Sequence, residues 1–387
     1  MKALRKYLDK VKPNFQKGGK YEFLHSTFDA FETFLFVPDK VTSRGSHIRD
    51  GVDMKRTMIM VVLALVPALL FGMWNTGYQH TLSIGESWSL WQTFFFGFIK
   101  VLPIIVVSYV VGLGIEFAFA QYRHHEVNEG FLVTGMLIPL IVPVDVPLWM
   151  VALATAFAVV IGKEVFGGTG MNVFNPALTA RAFLFFAYPS YMSGDKVWVN
   201  GLMAGNVPVD GFSGATPLAK AAAYNQLPSA YDMFMGFIPG SIGETSTLAI
   251  LIGAAILIIT GIGSWKIIAS TFAGGLVMGL ILNAFAVNPF MEIPAYYHLI
   301  MGGFAFGAVF MATDPVTAAQ TSRGKWIYGF LIGVFAVLVR VLNPAYPEGM
   351  MLSILLMNAF APLIDHYIVQ ANVNRRLKRA AVAAKTK

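Results

Sequence analysis

The stretch Asp210-Gly-Phe-Ser-Gly-Ala-Thr-Pro-Leu218 is the part of this sequence best suited to hold a phosphate-bearing group. Thr216 supplies a hydroxyl, and the two glycines before it let the backbone approach a bulky phosphate closely. Thr216 is not equipped to act as a nucleophile itself: Pro217 follows it, no His lies nearby, and the closest lysine in sequence is Lys220. A Ser or Thr nucleophile without a base at hand is normally inert. The same residues also suit an ordinary Gly-Ser turn, and at this level both readings stand.

Three other groupings bear on chemistry. Asn172 and Asn175 follow the Gly167-Gly-Thr-Gly170 turn; their amides can donate and accept together, which suits a flavin's uracil-like edge, and asparagines there equally suit a turn or a helix cap. Gly-Gly-Thr-Gly lacks the spacing and preceding strand of a dinucleotide fingerprint, so no NADH site is expected. Gly112-Leu-Gly-Ile-Glu116 places small residues near a span end, leaving either a groove for a flat ring or a surface for close helix packing. Acids inside lipid are expensive and mark function by default; the candidates are Glu164, Asp314, Glu348 and Asp365. Hard cations prefer oxygen ligands, and Asp365 is the strongest candidate for an ion path, being the only acid of the last span. Partnership with His366 or a basic neighbour is the competing account. Glu164 is a weaker candidate, with Lys163 or Arg181 as a simple partner, and Asp314-Pro315 reads as the cap of a broken helix.

These groups need a lipid-embedded scaffold. Of 387 residues 56% are hydrophobic and only 13% charged, against about 25% charged in soluble domains, and the mean hydropathy is +0.63. The absence of cysteine excludes disulfides, Cys-ligated iron–sulfur clusters and thiolate metal sites on this chain. A net charge of +7 does not signal nucleic acid, because the charges sit at the tails and inner loops. Residues 1–56 hold twelve Lys and Arg and residues 371–387 six. Between them the apolar runs predict about ten spans, near 57–74, 92–121, 127–143, 148–166, 174–190, 246–263, 266–287, 296–313, 324–342 and 349–370. Arg123, Lys163, Lys266, Arg323 and Lys325 then fall at inner edges, while the outer connections 75–90, 144–147 and 288–295 carry no Lys or Arg. This is the positive-inside pattern with both termini cytoplasmic. The start lacks a signal-peptide core and reads as a retained extension.

The expected organisation is therefore a cytoplasmic extension (1–56), a first five-helix unit (57–190), a long outer loop (191–245), a second five-helix unit (246–370) and a basic tail (371–387). Val173-Phe-Asn-Pro-Ala177 and Val341-Leu-Asn-Pro-Ala345 fall at matching places in the two units. Five spans per unit make the halves inverted, an arrangement typical of transport folds.

Ser213-Gly-Ala-Thr216 matches the motif that carries FMN in the Na+-translocating NADH:quinone oxidoreductases, and the match runs on. Gly162-Lys-Glu-Val-Phe-Gly-Gly-Thr-Gly170, Asn175-Pro-Ala177, Arg181-Ala-Phe-Leu-Phe-Phe-Ala187, Gly243-Glu-Thr-Ser-Thr247, Phe310-Met-Ala-Thr-Asp-Pro315, Pro347-Glu-Gly-Met-Met351, Ile364-Asp-His366 and Gln370-Ala-Asn372 all resemble the family that unites the B-type subunits of those pumps with the D-type subunits of the related Rnf complexes. The likeness covers the chain from about residue 20 onward. It implies an all-α integral membrane fold with ten helices in two inverted repeats, similar to urea transporters, in a bacterial inner membrane with the flavin loop periplasmic. It further implies FMN joined through a phosphoester to Thr216 within Ser213, Gly214 and Ala215, installed from FAD by a separate flavin transferase, and noncovalent riboflavin near Asn172 and Asn175. Ubiquinone is implied at Gly112, Leu113 and Glu116, where the family reads Gly-Gly-Phe-Trp-Glu and this chain departs at Leu113 and Ile115. The implied role is electron transfer to ubiquinone coupled to Na+ export within a six-subunit complex, inactive as a lone chain. A ferredoxin-linked Rnf component and a urea-type channel are the alternatives.

Overall fold

The computed structural model describes residues 2–16, 18–36, 42–48, 54–123, 127, 130–223, 227–343 and 348–385. Among them every regular element is helical and no strand occurs. A short amphipathic helix α1 (Lys2–Val11) and helix α2 (His25–Leu35) form the N-terminal extension, fastened by Arg5 and Lys12 to the buried Glu32. The extension docks on the membrane helices through Gln121, which donates to Thr27 Oγ1 at 2.5 Å, and through the Phe31–Phe117 ring contact.

Among the described residues six helical segments are long and apolar enough to cross a membrane: α3 (Met54–Ile84), α4 (Leu90–Arg123), α6 (Leu148–Val160) with the turn to Phe166, α12 (Trp265–Ala284), α15 (Ser322–Leu342) and α16 (Gly349–Lys385). Three shorter apolar helices, α5 (Phe131–Leu140), α7 (Pro176–Ala187) and α11 (Thr247–Ile259), lie among them. Small helices α8 (Pro189–Met192), α9 (Pro217–Ala222) and α10 (Ala230–Met235) punctuate the long loop. The chain is thus an all-helical integral membrane protein.

Two expected spans and one expected connection take a different form. The run 296–313 is broken into α13 (Tyr297–Ile300) and α14 (Phe304–Phe306), the latter continuing as a π turn over Gly307–Met311. Gly302 makes the break with φ +58°, a conformation that side chains resist. Among the described residues of 127–143 only those of α5 are helical, after which Ile141–Val144 continue as buried irregular chain. Irregular backbone at this depth is tolerated only where protein covers it. Conversely, 75–90 is mostly helix, not a connection. At 1.5 Å per residue the 31 residues of α3 reach about 46 Å, well beyond the roughly 30 Å hydrocarbon layer.

The overhang of α3 has a polar buried side, Asn75, Thr76, Gln79, Thr81 and Ser83, and the long loop wraps it. Asn75 Nδ2 donates to Ile238 O at 3.0 Å, the Val209 amide to Ser83 O at 2.9 Å, and the His80 ring meets Asn200 O at 3.0 Å. Asp145 pins the same loop from the other side, accepting from Asn200 Nδ2 at 2.6 Å and Gly201 N at 2.8 Å. Burial pushes the Asp145 carboxyl above its ordinary range, and the bonds from Gly201 and Asn200 oppose that only in part. A carboxyl raised in the folded state binds more protons there than in the unfolded chain. Its contribution is complete at pH below the ordinary Asp value and lost as pH rises through the raised one. The melting temperature should therefore decline across the window just above the ordinary Asp value, and Asp145→Asn should remove that slope.

Close packing is set by glycine. A Cβ on Gly97 would strike the Met73 carbonyl, and one on Gly333 the Thr271 carbonyl, so α3 meets α4 and α12 meets α15 backbone to backbone. In lipid, where burial of apolar surface drives nothing between helices, such close approach is the main source of association.

Candidate functional site

Thr216 caps α9: its Oγ1 accepts from Ala219 N at 3.2 Å, with Pro217 at the first helical position. Ser213 Oγ accepts from Ala215 N at 3.2 Å, holding the preceding turn. Gly214 lies against the Asp195 carbonyl, where a Cβ would collide with backbone. The turn reading is thereby realised. Thr216 is nevertheless only half-buried and lines the rim of a cavity. Among the described residues its hydroxyl serves only as an acceptor, so esterification of Oγ1 would leave the cap intact and break no hydrogen bond. The segment fits a phosphoester on that chemistry.

The cavity floor is an ionic cluster that sequence reasoning did not assemble. Arg181 Nε and Nη2 bond Glu348 Oε2 and Oε1 at 2.7 and 2.6 Å in a two-pronged contact. Its Nη1 reaches Glu244 Oε1 at 3.1 Å, Ser241 Oγ at 3.3 Å and the Ile141 carbonyl. Arg181 thus pairs with Glu348 and Glu244, not with Glu164. Arg340 lines the same cavity, 2% exposed, beside the broken-helix glycines Gly302 and Gly303. Charged residues lying in or beside apolar runs were the available signal, but their pairing spans up to 167 positions in sequence.

A second cavity is lined by Asn172, Asn175, Lys163, Thr169, Phe310 and Asp314, among others. Asn175 is the N-cap of α7, its Oδ1 accepting from Ala177 N and Leu178 N at 3.0 and 3.3 Å. Its Nδ2 donates to Asp314 Oδ2 at 3.4 Å, and Asn172 Nδ2 donates to Phe174 O at 3.0 Å. Capping therefore occupies the acceptor side of Asn175. Asp314 also accepts from Val316 N and Thr317 Oγ1, holding the turn after the π segment. The two cavities share walls: α7 contributes Pro176 to one and Arg181 to the other, and the π segment contributes Phe310 to one and Met311 to the other.

Near the C-terminal end of α4, Glu116 is 5% exposed and paired with Lys163, 3% exposed. Next to them Arg123 holds Glu164, with Nη1 to Oε2 at 3.1 Å and Nη2 to the Glu164 carbonyl at 2.8 Å. Glu164 therefore belongs to Arg123, and Lys163 to Glu116. The Phe131 ring fills the space beside Gly112, so packing claims that glycine. Leu113 is half-buried, and Gly114 faces open space. Removing one partner of a buried ion pair strands the other charge at a cost of about 3–5 kcal/mol. Lys163→Met should show that loss as a lower unfolding temperature, and adding Glu116→Gln should recover most of it.

Asp365 does not pair with His366. Its carboxylate accepts from Gln320 N at 2.6 Å, Thr321 N at 3.0 Å and Thr321 Oγ1 at 2.5 Å, tying the start of α15 to α16. Among the described residues no three His, Cys, Asp or Glu side chains converge as a metal site.

The fold and this site define a multi-pass helical membrane protein in which a half-buried threonine and a buried ionic cluster line one cavity. The family model described as NQR2, RnfD, RnfE matches residues 41–374, and the chain belongs to that family. It is 51% identical to the B-type subunit of the Na(+)-translocating NADH-quinone reductase of Ectopseudomonas mendocina, over 97% of this chain and 99% of the relative. It is 50% identical to the protein of the same name from Chromohalobacter salexigens, over 98% and 97%, and 49% identical to that from Azotobacter vinelandii, over 97% and 99%.

Proposed function

We propose that this chain is the B-type membrane subunit of a Na+-translocating NADH:ubiquinone reductase, carrying FMN esterified to Thr216 and riboflavin at the second cavity. The observation that carries the reading is Thr216 itself. Its oxygen lies at the rim of a cavity in a Ser-Gly-Ala-Thr turn whose only demand on that oxygen is as an acceptor. Near-complete coverage of relatives bearing the reductase name supports it over a ferredoxin-linked Rnf component.

The flavins would supply electron transfer, since the isoalloxazine does that chemistry. The chain's own residues do the rest. Thr216 and Gly214 would position the phosphoester at the outer cavity. Asn172, with its Oδ1 unengaged among the described residues, would present an acceptor in the second cavity, and Asn175 would orient α7 beside it. Glu116 and Lys163 would keep a proton-sharing pair on the buried face of α4, close to a ubiquinone bound at that end of the helix. Asp365 and Glu164 remain the candidates for the Na+ path, acting in their present bonds to Thr321 and Arg123. The partners are the other members of a six-subunit complex and, during maturation, a flavin transferase.

We read the scaffold as ten spanning segments in two inverted repeats, α3 to α7 and α11 to α16, with both termini cytoplasmic and the loop periplasmic. The short α5 and the broken α13–π segment are the third member of each half, and α3 and α11, the first members, pack on one another. The counterpart Asn-Pro-Ala at 343–345 lies beyond the described residues except for Asn343. Mass spectrometry of the tryptic peptide 197–220, from protein matured with the transferase, tests the function. An increment equal to FMN less one water is expected, and an unmodified peptide would overturn the reading.

A further inference from the structure

The two arginines below Thr216 are used very differently. Arg181 is saturated by two carboxylates, a hydroxyl and a carbonyl. Arg340 is equally buried, yet among the described residues it forms no ion pair. Its Nη1 donates to the His298 carbonyl at 3.0 Å, and its Nε, sealed from solvent, has no acceptor among the described residues. Its guanidinium lies 5.6 Å from the centroid of the Phe304 ring. A guanidinium cannot shed its proton inside a protein, and a buried charge without hydrogen-bonded compensation is expensive. A merely structural anchor for the His298 carbonyl would need only a neutral donor. The cavity that Arg340 lines is the one whose rim holds Thr216.

We propose that Arg340 is the counter-charge for the flavin borne by Thr216, an inference that rests on the functional reading above. The ligand chemistry is an anion presented in this cavity, either the phosphoester or the ring when it gains an electron and with it a negative charge. Glu244, on the same cavity wall, opposes it: a nearby carboxylate disfavours that added charge. Arg340 therefore raises the flavin's potential and Glu244 lowers it. Arg340 is a positioning and tuning residue, not one that exchanges electrons.

The test uses the whole complex matured with its transferase, carrying Arg340→Gln, Arg340→Lys or Glu244→Gln. In-gel fluorescence of the denatured chain reports attachment, and spectroelectrochemical titration, taken as the difference from wild type, reports the potential. With attachment intact, Arg340→Gln should hold the one-electron-reduced ring at least tenfold more weakly, a fall of about 59 mV. Arg340→Lys should restore most of it. If folded Arg340→Gln protein lacks flavin and Arg340→Lys regains it, the anion is the phosphoester. If Arg340→Lys does not regain it, the proposal fails. Attached flavin with an unchanged potential in Arg340→Gln would also overturn it. Should Arg340→Gln fail to assemble, Glu244→Gln decides: a rise in potential supports the proposal and no change refutes it. An unmodified wild-type peptide would instead sink the functional reading, so the two failures are distinct.

Discussion

Under the proposed attachment, Thr216→Ala should abolish covalent flavin fluorescence completely, while Thr216→Ser should retain it. The contrast follows from what the side chain does. Of residues 213–216, Thr216 is the one that lines the cavity, its hydroxyl oxygen is the atom an ester would use, and Ser keeps it. The same oxygen caps α9 by accepting from Ala219 N, and losing an N-cap costs about 1 kcal/mol. Since α9 has only six residues, that cost is local, and the Ala variant should still fold and insert. Stability and fluorescence therefore separate. A Thr216→Ala chain that still fluoresces in a denaturing gel would place the flavin elsewhere. A Thr216→Ser chain that is dark but folded would mean that the transferase reads the methyl group as well.

The second large effect lies beneath it. Arg181→Met should be among the most destabilising single substitutions in the protein, because it leaves Glu244 and Glu348 buried together without their shared partner. Breaking one buried pair costs about 3–5 kcal/mol, and here two carboxylates lose their cation at once. Arg181→Lys should rescue little, since an ammonium cannot reproduce the two-pronged contact to Glu348. The triple variant Arg181→Met, Glu244→Gln, Glu348→Gln should recover much of the loss, because neutral partners no longer demand a charge. Thermal unfolding of the purified protein should rank the single Met variant lowest and the triple variant well above it. A single variant within about 1 kcal/mol of wild type would show that the cluster is hydrated, not sealed.

These two residues show how unevenly the molecule could be read in advance. Thr216 was legible because its motif is contiguous: four residues with two nearby glycines announce a hydroxyl in a tight turn. Arg181 was visible as a charge in an apolar run, and Glu164, in the preceding turn of the same half, offered itself as a simple partner. The fold chose otherwise. The irregular chain at Ile141–Val144 and the loop at Ser241–Glu244 bring their polar atoms to Arg181, whereas Glu164 turns toward Arg123 at the end of α4. Asp365 was likewise visible as a lone acid, but its bonds to Gln320 and Thr321 come from a loop more than forty positions away.

Sequence by itself determined that lipid surrounds most of this chain, which runs are apolar, where glycine and proline break them, and which side chains carry charge or a reactive oxygen. Those are properties of short stretches, and short-range patterning expresses them. Only tertiary structure decided that α3 continues past the hydrocarbon to support the long loop, that Phe131 fills the notch beside Gly112, and that Arg340 is left without an ion pair among the described residues. Each of these depends on which distant segments meet, and pairing across scores of residues leaves no periodicity in the chain to betray it.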